Sequence, residues 1–147
     1  MRRIVLGALM VSVVACSSVA PVKVESGEVC FRCRRVIADS RLAAETIDRS
    51  LVSMFKTSGC VAKYLAQHPA DASFVFVTDF KTGKLVTPSN ALFVPTFNRD
   101  NGEKDYIAYA DRAAADSEAF SRGTRAVTWT SVVDEARAWA RAQSNGN

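Results

Sequence analysis

The cysteines are the residues of this 147-residue sequence with the most specific chemistry. Cys30 and Cys33 are separated by two residues, a spacing that lets both sulfurs bind one metal ion or form a local disulfide. Cys60 lies at the predicted N-terminus of a helix, where the positive end of the helix dipole favours a thiolate. Three neighbouring arginines favour the thiolate form of the pair as well: Arg32, Arg34 and Arg35. The candidate metal ligands are therefore Cys30, Cys33 and Cys60.

These three thiols leave two chemical interpretations open. Structural zinc prefers a closed site with four ligands, whereas soft sulfur ligands at low coordination number suit Cu(I). The alternative is a Cys30–Cys33 disulfide in an oxidising compartment, with Cys60 buried as a small apolar residue. The one histidine, His68, is predicted to be a surface residue at a helix end, and Met54 to be a core residue of a strand.

The N-terminus has the pattern of an export signal. Two arginines follow Met1, and residues 4–15 form an apolar run that is shorter than the roughly 20 residues of a membrane-spanning helix. The run ends in VVAC, which resembles the lipobox of bacterial lipoproteins, so Cys16 is the predicted lipidation site. The alternative is a simple secretory signal cleaved after Ala15. Both interpretations predict an exported protein; the lipidated one faces the periplasm and is held by lipid on the inner or the outer membrane.

The chain is accordingly predicted to have four segments. Residues 1–15 are the signal peptide, and residues 16–28 are the lipid anchor and a flexible tether interrupted by Pro21 and Gly27. Residues 29–143 form the folded domain, and residues 144–147 are a disordered tail.

Composition excludes several classes of protein. The formal net charge is +4, from 19 Lys and Arg against 15 Asp and Glu, and loss of the signal peptide removes two of the arginines. Nucleic-acid binding needs a concentrated basic face, so no nucleic-acid partner is predicted. The hydrophobic content of 48% excludes disorder of the whole chain. Because the sequence has no Ser/His/Asp set, glycine-rich phosphate loop or HExxH motif, we predict that it is not an enzyme.

The elements that position the cysteines are predicted to form an α+β domain. Apolar patterns predict strands over 44–48 and 51–55, a helix over 59–67 capped by Thr57 or Ser58, and a strand over 73–78. The second half repeats this order, with strands over 91–95 and 106–109, a helix over 112–121 and a strand over 125–129. A last helix is predicted from Ser131 to residue 142. The pattern is a duplicated ββαβ unit, with helices packed on small, mostly antiparallel sheets.

These residues, in this order, resemble the NosL family of exported lipoproteins, the copper(I) chaperones of nitrous oxide reductase. The resemblance covers residues 29–133 and includes the lipobox at Cys16. It rests on Cys30-x-x-Cys33 and on Gly59-Cys60, which precedes Tyr64-Leu65. The other matching segments are AAETI at 43–47, Phe55, VTDF at 77–80, Thr82-Gly83, Asn90-Ala91, Phe93-Val94, AYA at 108–110 and residues 114–120.

The resemblance implies a fold of paired ββαβ units, related to that of organomercurial lyase. It also implies a Cu(I) site and an acceptor, which for the family is nitrous oxide reductase or its maturation machinery. The sequence departs from the family pattern at two places. Arg34 and Arg35 stand where the family usually has Gly-Met, and the loop 98–105 has no methionine where the family has a Pro-Met-Gly-like segment.

The sequence therefore predicts a copper carrier with an all-thiolate site at Cys30 and Cys33, with Cys60 as a third ligand or a support. Transfer to the acceptor would proceed by ligand exchange. The alternative is a non-metal lipoprotein of the same fold, whose Cys30–Cys33 disulfide has a structural, redox or protein-interaction role. Organomercurial chemistry is a third hypothesis, drawn from fold analogy alone.

Overall fold

A computed structural model describes residues 19–69, 74–99 and 101–146. The predicted signal peptide, Cys16, Ser73 and the end of the predicted tail at Asn147 lie outside the described residues. The described chain is an α+β domain with small antiparallel sheets and three α-helices, as the sequence predicts. None of the helices within these ranges has the length and apolar character needed to cross a membrane.

The first sheet has four antiparallel strands in the order β2-β1-β3-β4. Its strands are β1 (Ala44–Asp48), β2 (Leu51–Phe55), β3 (Phe74–Thr78) and β4 (Leu85–Val86). A two-residue turn joins β1 to β2, with Arg49 in the left-handed region at φ 56°. Ala44 pairs with Phe55 on one side and with Val77 on the other, so β1 is an inner strand. The two strands predicted over 44–48 and 51–55 are confirmed.

The second sheet is the hairpin of β5 (Leu92–Phe97) and β6 (Lys104–Tyr109), which pair from Leu92↔Tyr109 to Phe97↔Lys104. The connection between them is the polar loop expected from the sequence. Gly102 in that loop has φ 68°, a left-handed conformation that glycine adopts without steric cost. Two short 3-10 helices, Ser40–Leu42 and Pro88–Asn90, precede β1 and β5.

Three α-helices cover the sheets: α1 (Ser58–Gln67), α2 (Arg112–Ser121) and α3 (Trp129–Ser144). Helices α1 and α3 pack against each other, and α2 packs on β5 and β6. The buried residues of α3, Val132 and Ala136, are four apart, as are Ala115 and Ala119 of α2. This spacing places each pair on one face of its helix. Each of these two helices is therefore stabilised by burial of an apolar stripe.

Two predictions for the C-terminal part are wrong. Residues 125–129 do not form a strand; only Val127 forms a bridge, exchanging two 2.8 Å backbone hydrogen bonds with Phe93. The last helix begins at Trp129 rather than after Ser131, because the Thr128 side chain accepts the Ser131 N–H and caps the helix earlier. It continues to Ser144, beyond the predicted end at 142.

The N-terminal segment is attached to the fold. Val24, which the sequence analysis assigned to the tether, is 3% exposed and belongs to the main core with Ile37 and Phe55. The Val22 N–H donates a 2.8 Å hydrogen bond to the Oε1 of Glu45, a residue of the inner strand β1. Chain residues before the predicted domain boundary at 29 are therefore part of the packed structure.

Glu45 is expected to make the stability of the protein depend on pH. Its side chain is fully buried, its Oε2 has no hydrogen-bond partner among the described residues, and burial raises its pKa above the ordinary 4.5. A raised folded-state pKa stabilises the fold when the group is protonated, and this stabilisation is lost as pH rises through that pKa. The free energy of unfolding relative to Glu45→Gln should therefore fall as pH rises above 4.5.

Urea denaturation of both proteins between pH 4 and pH 8 measures this difference. Glu25→Gln serves as the control, because Glu25 is an exposed carboxylate paired with Lys23 at 3.0 Å. The prediction would be contradicted if the free energies of unfolding of the wild type and of Glu45→Gln changed in parallel from pH 4 to pH 8.

Candidate metal centre

Cys30 and Cys33 lie in a tight loop that follows the N-terminal segment. The loop is closed by the Val29↔Val36 bridge and by two hydrogen bonds, Cys30 N–H to the Arg35 carbonyl at 2.9 Å and Arg34 N–H to the Cys30 carbonyl at 3.0 Å. Arg34 has φ 59°, which allows the backbone to reverse. The loop that contains the two cysteines thus folds back on itself, and both sulfurs face the same region.

Aromatic packing fixes this loop against β2 and α1. The Phe31 N–H donates to the Met54 carbonyl at 2.7 Å, and the Phe31 ring lies 6.1 Å from Phe55 and 5.4 Å from Tyr64. Phe55 and Tyr64 are themselves 5.2 Å apart. Because the three rings bury apolar area between the loop, the strand and the helix, they hold Cys30 close to the start of α1.

Cys60 is in the first turn of α1, as the sequence predicts. The Thr57 side chain caps the helix by accepting the Cys60 N–H at 3.1 Å. Asp105, at the start of β6, accepts the N–H of Gly59 at 3.0 Å and that of Tyr106 at 2.8 Å through the same Oδ1. The turn that carries Cys60 is therefore held by its own cap residue and by β6 of the second sheet.

The sulfur atoms of Cys30, Cys33 and Cys60 all lie within 4.8 Å of one another. The three cysteines are free thiols in this structure. Cys30 is completely buried, Cys60 is 7% exposed, and Cys33 is partly exposed. The structure therefore brings together the three cysteines that the sequence predicts as ligands, and this cluster is able to hold a metal ion.

The hydrogen bond between Cys60 and Cys30 shifts the pKa values of these two buried thiols in opposite directions. With Cys60 as donor, this bond lowers the pKa of Cys30 to about 5, although burial opposes the shift. The backbone N–H groups of Cys33 and Lys56 favour the Cys30 thiolate too. The same bond and burial raise the pKa of Cys60. The two shifts have opposite directions, so Cys30 forms a thiolate more readily than Cys60 does.

A cavity of about 130 Å³ opens beside the centre, lined by Cys33 and Cys60. Four basic residues line it as well: Arg32, Arg35, Lys63 and Lys104. The Arg32 guanidinium lies 4.8 Å over the Trp139 ring of α3, and Lys63 pairs with Glu103 at 2.5 Å. The partly exposed sulfur of Cys33 is accordingly reached through a positively charged cavity.

Protein-family models, curated proteins and solved structures were compared with the chain. None of them matches it. Any assignment of function therefore depends on the chemistry of this centre.

Two other residues considered in the sequence lie outside the sulfur cluster. His68 is exposed at the end of α1, where its ring stacks on Tyr64 at 4.6 Å and its Nδ1 lies 3.1 Å from the Tyr64 carbonyl. Met54 packs against the main core. Both positions agree with the structural roles predicted for them.

The sequence analysis missed Asp105. Burial raises the pKa of this carboxyl, while hydrogen bonds from Thr57, Tyr106 and Gly59 oppose the shift. The residue stands at the end of a polar loop and 46 positions from Gly59. No local sequence pattern predicts such a contact, since it depends on how β6 packs against α1.

Proposed function

We propose that the protein binds Cu(I) through Cys30, Cys33 and Cys60 and delivers the ion to an acceptor metalloprotein. The observation that supports this proposal most directly is the cluster of three sulfurs within 4.8 Å of one another. Three sulfurs at a thiolate–metal distance of about 2.3 Å lie about 4 Å apart around one ion. The cluster is thus within about one ångström of a three-coordinate site.

Cu(I) suits this donor set better than other common metal ions. Thiolates are soft ligands that select Cu(I), and a three-sulfur site has no need of a hard oxygen or a fourth ligand. Burial of Cys30 and Cys60 excludes water from two of the three sulfurs. A closed site of low coordination number binds the cuprous ion firmly, and it provides no further ligand that could take part in catalysis.

Transfer would begin at Cys33, the most exposed of the three sulfurs. An incoming ligand of the acceptor displaces the Cys33 thiolate first, and the ion then passes from Cys30 and Cys60 as further acceptor ligands bind. The exchange forms and breaks metal–ligand bonds one at a time and changes no oxidation state. It requires no covalent intermediate, so the protein acts as a carrier and not as an enzyme.

The wider proposal follows the resemblance to the NosL family. The protein would be an exported lipoprotein, with residues 1–15 removed and Cys16 lipidated, that faces the periplasm from the membrane. The strand, strand, helix, strand order of β1, β2, α1 and β3 supports one ββαβ unit, whereas β5, β6 and α2 are followed by a bridge at Val127 and not by a strand. Nitrous oxide reductase or its maturation machinery is then the proposed acceptor.

The test is an anaerobic Cu(I) competition titration of the reduced protein against a chelator of known affinity. We expect one equivalent of Cu(I) to be retained by the wild type and lost on replacement of Cys30 by serine. Cys16→Ser is the matched control, because it removes a thiol that the proposal assigns to lipid. No retention by the wild type, or equal retention by Cys30→Ser, would refute the copper site.

The low pKa of Cys30 also supports the disulfide alternative, because a thiolate in a Cys-x-x-Cys pair is readily oxidised. Counting free thiols in protein taken directly from cells distinguishes the two functions. Reduced thiols that resist alkylation only when copper is present support the carrier. A stable Cys30–Cys33 disulfide supports a structural or redox role.

A further inference from the structure

Several basic residues lie on the face that contains the cysteine centre. The cavity beside the sulfurs adjoins a groove of about 590 Å³, and the two share Asn98 and Asp105. We call the cavity and the groove together the basic face. Four further basic residues line the groove: Arg41, Lys56, Arg99 and Arg122.

The basic face has a net positive charge. Eight basic residues line it, against three acidic ones, Asp39, Glu103 and Asp105. Two further carboxylates pair with its basic residues from outside the face, Glu135 with Lys104 at 2.7 Å and Glu118 with Arg122 at 2.6 Å. The acidic residues are also committed to internal contacts. Asp39 pairs with Arg41 at 2.9 Å, Glu103 with Lys63 at 2.5 Å, and Asp105 accepts two backbone N–H groups.

Arg32 provides a donor without a partner inside this face. Its Nε is buried and makes no hydrogen bond to any described residue, although the guanidinium lies over Trp139. Because Arg32 also lines the cavity, a carboxylate bound there would form a charge-assisted hydrogen bond with its guanidinium. Arg32 lines the same cavity as Cys33 and Cys60.

The groove has the shape and the apolar surface for a polypeptide segment. Leu42, Phe80 and Ile107 line it, and Phe97 at its edge is 71% exposed. A concave groove with an aromatic edge buries the side chains of an extended segment, whereas a bilayer surface would contact only its rim. The occupant that fits both charge and shape is therefore an acidic segment of a protein.

We propose that the basic face binds an acidic segment of the protein that receives the metal, with one carboxylate of that segment in the cysteine cavity beside Arg32. The identity of this partner as the metal acceptor rests on the proposed function. Complementary charge brings the acceptor to the face and fixes its orientation, so that its metal ligands meet Cys33.

The probe is a synthetic peptide of alternating glutamate and leucine, with lysine in place of every glutamate in the control peptide. Binding to the metal-free protein is measured by calorimetry and by shifts of assigned NMR resonances, so the result does not depend on whether the chain binds Cu(I). The test variants are Arg99→Glu, an exposed position, and Arg32→Gln, which also removes the contact with Trp139. Arg49→Glu and Arg112→Glu are matched changes at exposed positions outside the basic face.

We expect the acidic peptide to bind, the basic peptide not to bind, and each test variant to weaken binding at least tenfold while the control variants change it less than twofold. The resonances that shift should belong to residues of the basic face. Absence of acidic-peptide binding, or equal losses in test and control variants, would overturn the proposal. Tighter binding to vesicles of anionic phospholipid than to the peptide would assign the face to a membrane and overturn it too.

Discussion

Serine in place of Cys60 is expected to lower the affinity for Cu(I) about 100-fold or more and to leave a two-sulfur site at Cys30 and Cys33. Loss of a supporting group outside the ligand set costs metal affinity about 10- to 100-fold, and loss of a ligand itself costs at least as much. Serine keeps the size of the side chain, and it keeps the backbone N–H that Thr57 accepts at 3.1 Å. The change therefore tests the contribution of the sulfur to Cu(I) affinity and leaves the helix cap intact.

Two measurements decide whether Cys60 is a ligand or a support. Competition titration gives the affinity, and X-ray absorption of the copper-loaded protein gives the number of sulfur neighbours. We expect three sulfurs in the wild type and two in Cys60→Ser. Two sulfurs in both proteins would exclude Cys60 from the ligand set. Ser58→Ala, another buried residue of the same helical turn, controls for disturbance of packing.

Alanine in place of Gly59 is expected to destabilise the fold by about 2–4 kcal/mol, the opposite of its usual effect in a helix. Replacing glycine by alanine within a helix normally stabilises it by about 0.5–1 kcal/mol. Here an added Cβ would lie only 2.4 Å from the Asp105 Oδ1. That oxygen accepts the Gly59 and Tyr106 N–H groups, so moving it overpacks a buried site and breaks hydrogen bonds.

A double-mutant cycle separates this clash from any other effect of the substitution. In an Asp105→Ala background the carboxylate is gone, so adding the methyl group at position 59 should cost little or even stabilise the helix. Urea denaturation of the four proteins measures the coupling. Equal destabilisation by Gly59→Ala in both backgrounds would contradict the role assigned to Asp105.

The sequence is sufficient to predict those parts of the fold that depend on local patterns. The strands β1 and β2 and the helix Arg112–Ser121 occur where the apolar patterns predict them. The start of α3 was misplaced because Thr128 and Ser131 are both good capping residues. Which of the two caps the helix is decided by the backbone pairing of Val127 with Phe93, a contact between distant residues.

The candidate site was predictable in its ligands but not in its surroundings. The spacing of Cys30 and Cys33 and the helix-terminal position of Cys60 are local features. By contrast, the buried carboxyl of Asp105 and the contact of Arg32 with Trp139 join residues far apart in the sequence. Such contacts follow from how β6 and α3 pack against α1, which hydrophobic periodicity does not determine.

The attachment of Val22 and Val24 to the fold determines how far the cysteine centre can travel from a lipid on Cys16. With Val22 bonded to Glu45, only the six peptide links from residue 16 to residue 22 separate the lipidated end from the packed domain. Fully extended, that stretch spans at most about 22 Å. A lipidated form would therefore keep its cargo within a short radius of the bilayer, where two-dimensional diffusion replaces free search through the periplasm. An acceptor attached to the same membrane would meet it far more often than one in solution.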